Sequence, residues 1–464
     1  MNGSSVPKLY SSYIGTSPEE QKEMLETIGK SNIEELFSDI PKDLILDEFV
    51  DIPGPYSEKE LDKLFHNISR KNKVSDTLSF LGGGVRQVYI PAFLEELMRR
   101  GEIYTAYTSY QPEVAQGMLQ MVFEYESQLA ELTGMDVINA SLYDWASAVG
   151  EAFRMMVRIK RKRDTILVLN PISPKRLKVA STYTDGPHIR IKVIESEGDI
   201  DVEAAKKLIL EDSALDKKER KLAGIYFEVP TYHGVLPSKI DELIKVAHEN
   251  KLLVTVGVDV ISLGIIKPPG DYGADFVVGE GQLLGNGVSA GGPLLGILGS
   301  KYDRKWIQNF PGRLVGITKD ERDGDDAYCI TLSTREQHIR REKATSNICS
   351  NQTLMAVNAG IYLAGLGPKG IEELAQGLMD RAAYLADGLE KLGYGPQYKP
   401  FFSEFVVDFG SIDHEDLEAK FLERGIAPGT KIKGEGCRRL LAVSDLMTRE
   451  DLDKFLEVTK EVLK

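Results

Sequence analysis

Between residues 160 and 300 the chain repeats one pattern, a short run of apolar side chains followed by a turn and a stretch of helical spacing. The apolar runs fall at 165–169, 189–194, 222–228, 252–258, 276–278 and 294–298. Helices are predicted over 147–163, 174–182, 202–210 and 239–250. Strands alternating with helices predict a mostly parallel sheet covered on both faces. Runs without polar alternation agree with burial on both sides. Upstream, Pro91 opens a helix through Arg99, and a longer helical stretch ends at Thr133, closed by Gly134. Downstream come a charged loop at 319–326, a basic helical stretch over 334–343, and helices over 351–364 and 370–392. The tail alternates strand 404–409, helix 415–424, strand 438–443 and helix 449–463, the pattern of a small α+β domain.

The first 75 residues read differently, as short helices with explicit starts. Ser17-Pro18-Glu19-Glu20 places a serine cap, a first-turn proline and a glutamate three residues on. Ser31-Asn32-Ile33-Glu34 and Ser57-Glu58-Lys59-Glu60 repeat the capping pattern. Asp51-Ile52-Pro53-Gly54-Pro55 between them is a stiff elbow. The expected organisation is an N-terminal helical arm (1–75), a large α/β domain (76–330), and C-terminal helices with the small α+β domain (331–464). The arm is expected either to wrap another subunit or to be a plain surface appendage.

Composition narrows the class of function. Apolar content of 42% and charged content of 28% are those of a globular protein. A net charge of −14 argues against a nucleic-acid binder, which needs a basic face. Cys329, Cys349 and Cys437 are scattered and odd in number, so neither a disulfide framework nor a zinc spacing is expected. The N-terminal residues lack a signal-peptide pattern. The most apolar stretch, 252–266, is too short for a membrane span and carries Asp259. The expectation is a cytoplasmic protein with no membrane and no metal.

The candidate chemistry centres on 274–298. One strand ends on Asp259, and the next runs into a glycine-rich loop that leads through Gly291-Gly292-Pro293 to a further apolar run. One large group of pyridoxal-phosphate enzymes builds its cofactor floor this way, with the acid on the pyridinium nitrogen and a loop lysine forming the Schiff base. This loop has no lysine, and Gln282 stands at the expected position. A neutral amide cannot form the Schiff base, so Asp259 and Gln282 read as a vestigial floor. At 142–148, Asp144 and Ser147 flank Trp145 and Ala146, a bulkier start than a phosphate-binding turn, and capping is the simpler reading.

The segment 104–113 sets Tyr104, Tyr107, Tyr110, Gln111 and Glu113 ahead of a helix, with Gln116 beyond. It reads either as a ligand-facing loop or as tyrosine-rich packing. The basic run 154–163 is expected to be a solvated helix end or a docking site for an acidic partner. His233 follows a strand in a βα loop and, without a lysine, is expected to be structural. No G-x-S-x-G segment, phosphate-binding P-loop or dinucleotide fingerprint occurs.

Three segments, 104–113 (YTAYTSYQPE), 131–136 (ELTGMD) and 334–349 (TREQHIRREKATSNIC), closely resemble the glycine cleavage system P-protein family. The likeness runs from about Phe80 to the end. It implies a pyridoxal-phosphate-dependent transferase-like fold (fold type I). The length is similar to that of the split form of these enzymes, in which two homologous subunits make an α2β2 assembly. Gln282 points to subunit 1, the partner without the Schiff base. The resemblance then implies that pyridoxal phosphate is bound covalently by subunit 2 and that glycine is decarboxylated. The aminomethyl group passes to the lipoyl arm of H-protein, and this chain is inactive alone. Tyr104, Tyr107, Tyr110, Gln111, Glu113 and Gln116 would line the substrate or lipoyl channel. The segments 81–87 and 144–147 depart from the family pattern. The alternatives are a purely structural assembly subunit and a standalone pyridoxal-phosphate aminotransferase or decarboxylase using another lysine, of which Lys267 is nearest.

Overall fold

The computed structural model describes residues 15–46, 53, 56–104, 108–322 and 324–463. Most of the predicted elbow, and Tyr107 with its two preceding residues, lie outside them. The chain divides into two compact units, Met1–Lys73 and Val74–Lys464. In the first unit, helices Pro18–Thr27 and Glu58–Ser69 begin with complete capping boxes, Ser17 with Glu20 and Ser57 with Glu60. The third predicted box forms only a 3₁₀ turn, Glu34–Phe37, because Asn32 takes the Glu35 N–H (3.0 Å) in place of a serine cap.

The second unit is built on a seven-stranded sheet. Its strands are β1 (Val137–Ile138), β2 (Thr165–Leu169), β3 (Arg190–Ile194), β4 (Leu222–Val229), β5 (Leu253–Val258), β6 (Phe276–Glu280) and β7 (Gly296–Ser300), in spatial order β1-β7-β6-β5-β4-β2-β3. β7 runs antiparallel to both neighbours, and the other adjacent pairs are parallel. The fold class is therefore the expected α/β one.

Successive side chains along a strand point to opposite faces, and here each face has its own core. Leu167, Leu169, Ile225, Phe227, Val254 and Val256 pack with the helices Gln116–Thr133, Val202–Ala214, Ile240–Glu249 and Thr353–Lys391. Ile166, Val168, Tyr226, Leu253 and Phe276 pack with helices Trp145–Ile159 and Pro174–Asp185. Double burial explains why β2, β4, β5, β6 and β7 are buried at every position, whereas the edge strand β3 is not. Near the C-terminus, Glu404–Asp408, Arg438–Ala442 and Thr430–Lys431 form a small antiparallel sheet with helices His414–Leu422 and Arg449–Val462. Leu78–Ser79 pairs with Ile426–Ala427, and the Ala442 N–H donates to the Phe80 carbonyl (2.9 Å), so residues 78–80 run along this smaller sheet.

Beyond these elements, one pair of helices matches the sequence expectation and two features differ from it. The helices predicted over 351–364 and 370–392 are both present, following one another within Thr353–Lys391 and separated by the non-helical Gly367 (φ 65°, ψ 179°) before Pro368. The charged loop at 319–326 closes a hairpin of Leu314–Lys319 and Asp326–Thr331, whose strands the polar tip concealed. The basic stretch over 334–343 is three short turns and not one helix, with Arg341 at φ 53° interrupting it.

Gly234, in the loop after β4, joins the large sheet to the smaller one. Its φ is 84°, and a side-chain carbon added there would overlap the Glu404 carbonyl. Gly393 has a similar φ of 90° but open space around it. Gly234→Ala is expected to cost roughly 3 kcal/mol and Gly393→Ala about 1 kcal/mol, since only the first adds a clash to backbone strain. Urea unfolding of the two variants tests the difference.

Candidate functional site

In open α/β sheets, sites form at the carboxyl ends of the strands. Here three adjacent strands end in acids: Glu228 in β4, Asp259 just after β5, and Glu280 in β6. A fourth carboxylate, Glu404, comes from the smaller sheet. Each acid is paired from within the chain.

Arg86, only 4% exposed, donates from Nη1 to Asp259 Oδ2 (3.0 Å) and lies 3.6 Å from Glu404 Oε1. The other Asp259 oxygen accepts the Ile261 N–H (2.9 Å). Arg176 donates from Nη1 to both Glu228 oxygens (2.7 Å each) and from Nη2 to the Gly83 carbonyl (3.1 Å). Its guanidinium stacks 3.6 Å over the Trp145 ring. The Tyr226 hydroxyl also donates to Glu228 (2.8 Å), and the Gly83 N–H donates to Glu404 (3.1 Å).

Glu280 is closed by backbone. It accepts N–H groups from Leu295 (2.9 Å), Gln282 (3.0 Å) and Trp145 (3.1 Å). Burial pushes its carboxyl up to about 7, against these three hydrogen bonds. Trp145 opens helix Trp145–Ile159, whose start is further sealed by the capping box of Asp144 and Ser147. Asp144 accordingly takes the capping role its position suggests.

Gln282 is fully buried, and its amide is saturated. Nε2 donates to the carbonyls of Asn286 (2.6 Å) and Arg86 (3.0 Å), and Oε1 accepts the Arg86 N–H (3.2 Å). Gln282 thus fixes the segment that carries Arg86. Asp259 and Gln282, paired by sequence reasoning, are bridged by that one residue. The space left among Gly83, Trp145, Arg176, Asp259, Ser403 and Glu404 is about 30 Å³. That admits a water or two, whereas ligand pockets begin near roughly 300 Å³. Among the described residues, Ser403 Oγ and Arg86 Nη2 have no partner, so the gap is suited to water. The residues present do not fit pyridoxal phosphate.

The tyrosine segment lies elsewhere. Tyr104, Tyr110, Gln111 and Glu113 are exposed. Gln116, expected to face a channel, instead engages both ends of its amide internally. It donates to the carbonyls of Pro112 (2.8 Å) and Tyr328 (2.9 Å) and accepts the Tyr328 N–H (2.8 Å). Its part is to hold the loop against the hairpin. The Tyr110 hydroxyl accepts from the buried Arg313 (2.7 Å), which also reaches Cys349 Sγ (3.0 Å) and Glu336 (3.3 Å). Thr108 bonds Ser350 (2.5 Å). Two of the three resembling segments, 104–113 and 334–349, therefore meet at Arg313. His233 accepts the Gly198 N–H (3.1 Å) and stacks on Tyr398, and burial holds it down at about 4, as fits a structural histidine. Lys267 is exposed and outside the acid cluster.

Sequence reasoning missed Arg86, Arg176, Glu228, Glu280 and Glu404. Glu228 and Glu280 were within reach, since each ends an apolar run as Asp259 does.

The glycine cleavage system P-protein family model matches residues 11–459. A probable glycine dehydrogenase (decarboxylating) subunit 1 from Carboxydothermus hydrogenoformans is 42% identical over 96% of this chain and 98% of its own length. The protein of the same name from Pyrococcus horikoshii is 42% identical over 97% of this chain and 99% of its own. A crystal structure of glycine decarboxylase (P-protein) of the glycine cleavage system, in inhibitor-bound form, aligns with a TM-score of 0.84 at 35% identity, covering 97% of this chain and all of that one. A NifS-like protein, at 14% identity and TM-score 0.60 over 83% of this chain and 99% of its own, shares the fold alone. The fold is that of the fold-type-I pyridoxal-phosphate enzymes. The chain belongs to the glycine cleavage system P-protein family, among its subunit 1 members.

Proposed function

We propose that this chain is the non-catalytic half of a two-subunit glycine decarboxylase. In this reading a homologous subunit 2 carries the Schiff-base lysine, the pair assembles as α2β2, and the aminomethyl group is passed to the lipoyl arm of H-protein. The single observation that carries it is Gln282, a saturated, buried amide where the fold's lysine would stand. Pyridoxal phosphate, held by the partner, supplies the electron sink as CO2 leaves glycine. Among the described residues no amine lies within the acid cluster to hold that group, and this chain's contribution is a surface. The cytoplasm remains the expected compartment, and no helix among the described residues is long and apolar enough to cross a membrane.

The surface we assign is the exposed run Tyr104, Tyr110, Gln111 and Glu113, with Tyr107 inside the same segment. Glu113 has no hydrogen-bond or ion-pair partner among the described residues, so its carboxylate is free to meet one on another chain. Tyr110 is held from behind by Arg313, whose guanidinium lies 4.6 Å from the ring centre. That contact gives the loop a fixed shape before any partner arrives, which reduces the ordering cost of binding.

Two measurements test the reading. The purified chain is expected to show no glycine–CO2 exchange alone and to support exchange when reconstituted with a subunit 2; exchange by the chain alone would overturn it. Within the reconstituted complex, Glu113→Ala is expected to lower exchange or H-protein-dependent transfer by about tenfold, close to 1.4 kcal/mol, with the complex still assembled. Wild-type rates in both assays would leave this chain an assembly role only.

A further inference from the structure

We infer that the cofactor seat of this chain is occupied by the chain itself, with Arg86 on Asp259 in place of a pyridinium nitrogen and Glu280 in place of a phosphate at the start of helix Trp145–Ile159. On this view pyridoxal phosphate is excluded whether or not a lysine stands at 282. The inference goes beyond the two-subunit reading and does not depend on it.

Each recognition element of such a seat is present and already taken. The acid after β5 has one oxygen on a guanidinium and the other on a backbone N–H. The first N–H of the helix at the strand ends points at a side-chain carboxylate of β6. A phosphate arriving there would have to displace Glu280 from three backbone donors and lie near an acid with nowhere to go.

Arg86 is the harder of the two to move. Its backbone N–H and carbonyl are both bonded to Gln282, so the residue is held by main chain as well as by charge. Swinging its guanidinium out would leave Asp259 and Glu404, both partly buried, without their shared cation, and a charge shielded from water with no partner is disfavoured. Arg176 closes the remaining side, spanning Glu228, the Gly83 carbonyl and the Trp145 ring. The lysine position is thus one of three substitutions that act together: an amide for the amine, a guanidinium for the ring nitrogen's charge, and a carboxylate for the phosphate.

The test uses the full-length chain. Gln282→Lys is incubated with pyridoxal 5′-phosphate, reduced with borohydride, and mapped by peptide mass spectrometry, with exposed Lys267 as the internal reference. Adduct at residue 282 is expected to trail that at Lys267 by at least about tenfold; stoichiometric adduct at 282 overturns the inference. Should that variant fail to fold, a second comparison decides. Trp145 and Trp306 are the two tryptophans, so Trp306→Phe leaves Trp145 as a reporter beside the residual gap. In that background Arg86→Ala is expected to show saturable quenching by pyridoxal 5′-phosphate at a concentration about tenfold below that of the Arg86 parent. Equal quenching curves overturn the inference. Adduct at 282 in the lysine variant defeats this inference alone, whereas glycine–CO2 exchange by the wild-type chain alone defeats the two-subunit reading.

Discussion

Pairing the carboxylates at the open end of the sheet constrains everything around them. Glu228, Asp259 and Glu280 end three neighbouring strands, and Glu404 meets them from the smaller sheet. Left alone, carboxylates gathered at one end of a sheet would repel one another. Two arginines and a set of backbone N–H groups compensate them, and those partners come from distant parts of the sequence. Arg86 belongs to the segment leaving the smaller sheet, Arg176 to helix Pro174–Asp185, and the N–H donors to Trp145, Gln282 and Leu295. Removing either arginine leaves a carboxylate without its cation, which costs more than the pair itself contributes. The position of residues 80–90 over the sheet follows from that asymmetry.

The architecture was largely legible in the sequence because double burial leaves a plain mark. The runs at 165–169, 222–228 and 252–258 are apolar without alternation and became β2, β4 and β5. The ends of α-helices were equally visible where chemistry marks them, as at Ser17, Ser57 and Gly134. What was hidden is long-range. Nothing in the local pattern around Arg86 says that it will lie on Asp259, 173 positions away. The two-residue β1 carries too few side chains for a periodic signal, and the hairpin at 314–331 was masked by the polarity of its tip. Gln282 was recognisable as the wrong residue for a Schiff base, but its bonds to Arg86 were not.

The tyrosine segment shows the limit in another form. Its composition suggested polar tips facing a ligand, and four of the named side chains are indeed exposed. Gln116 is the exception, because a side-chain amide three residues beyond Glu113 can reach both the Pro112 carbonyl and the backbone of Tyr328. Sequence places a residue near a surface; only the fold says which of its hydrogen-bonding groups remain available.

The break at Gly367 has a bearing on movement. It separates a helix that packs beside Gln116–Thr133 from one that packs beside the terminal helix Arg449–Val462. A joint there would let the two lobes rock, yet Arg86 ties Glu404 of the smaller sheet to Asp259 at the end of β5. The joint is present but bolted.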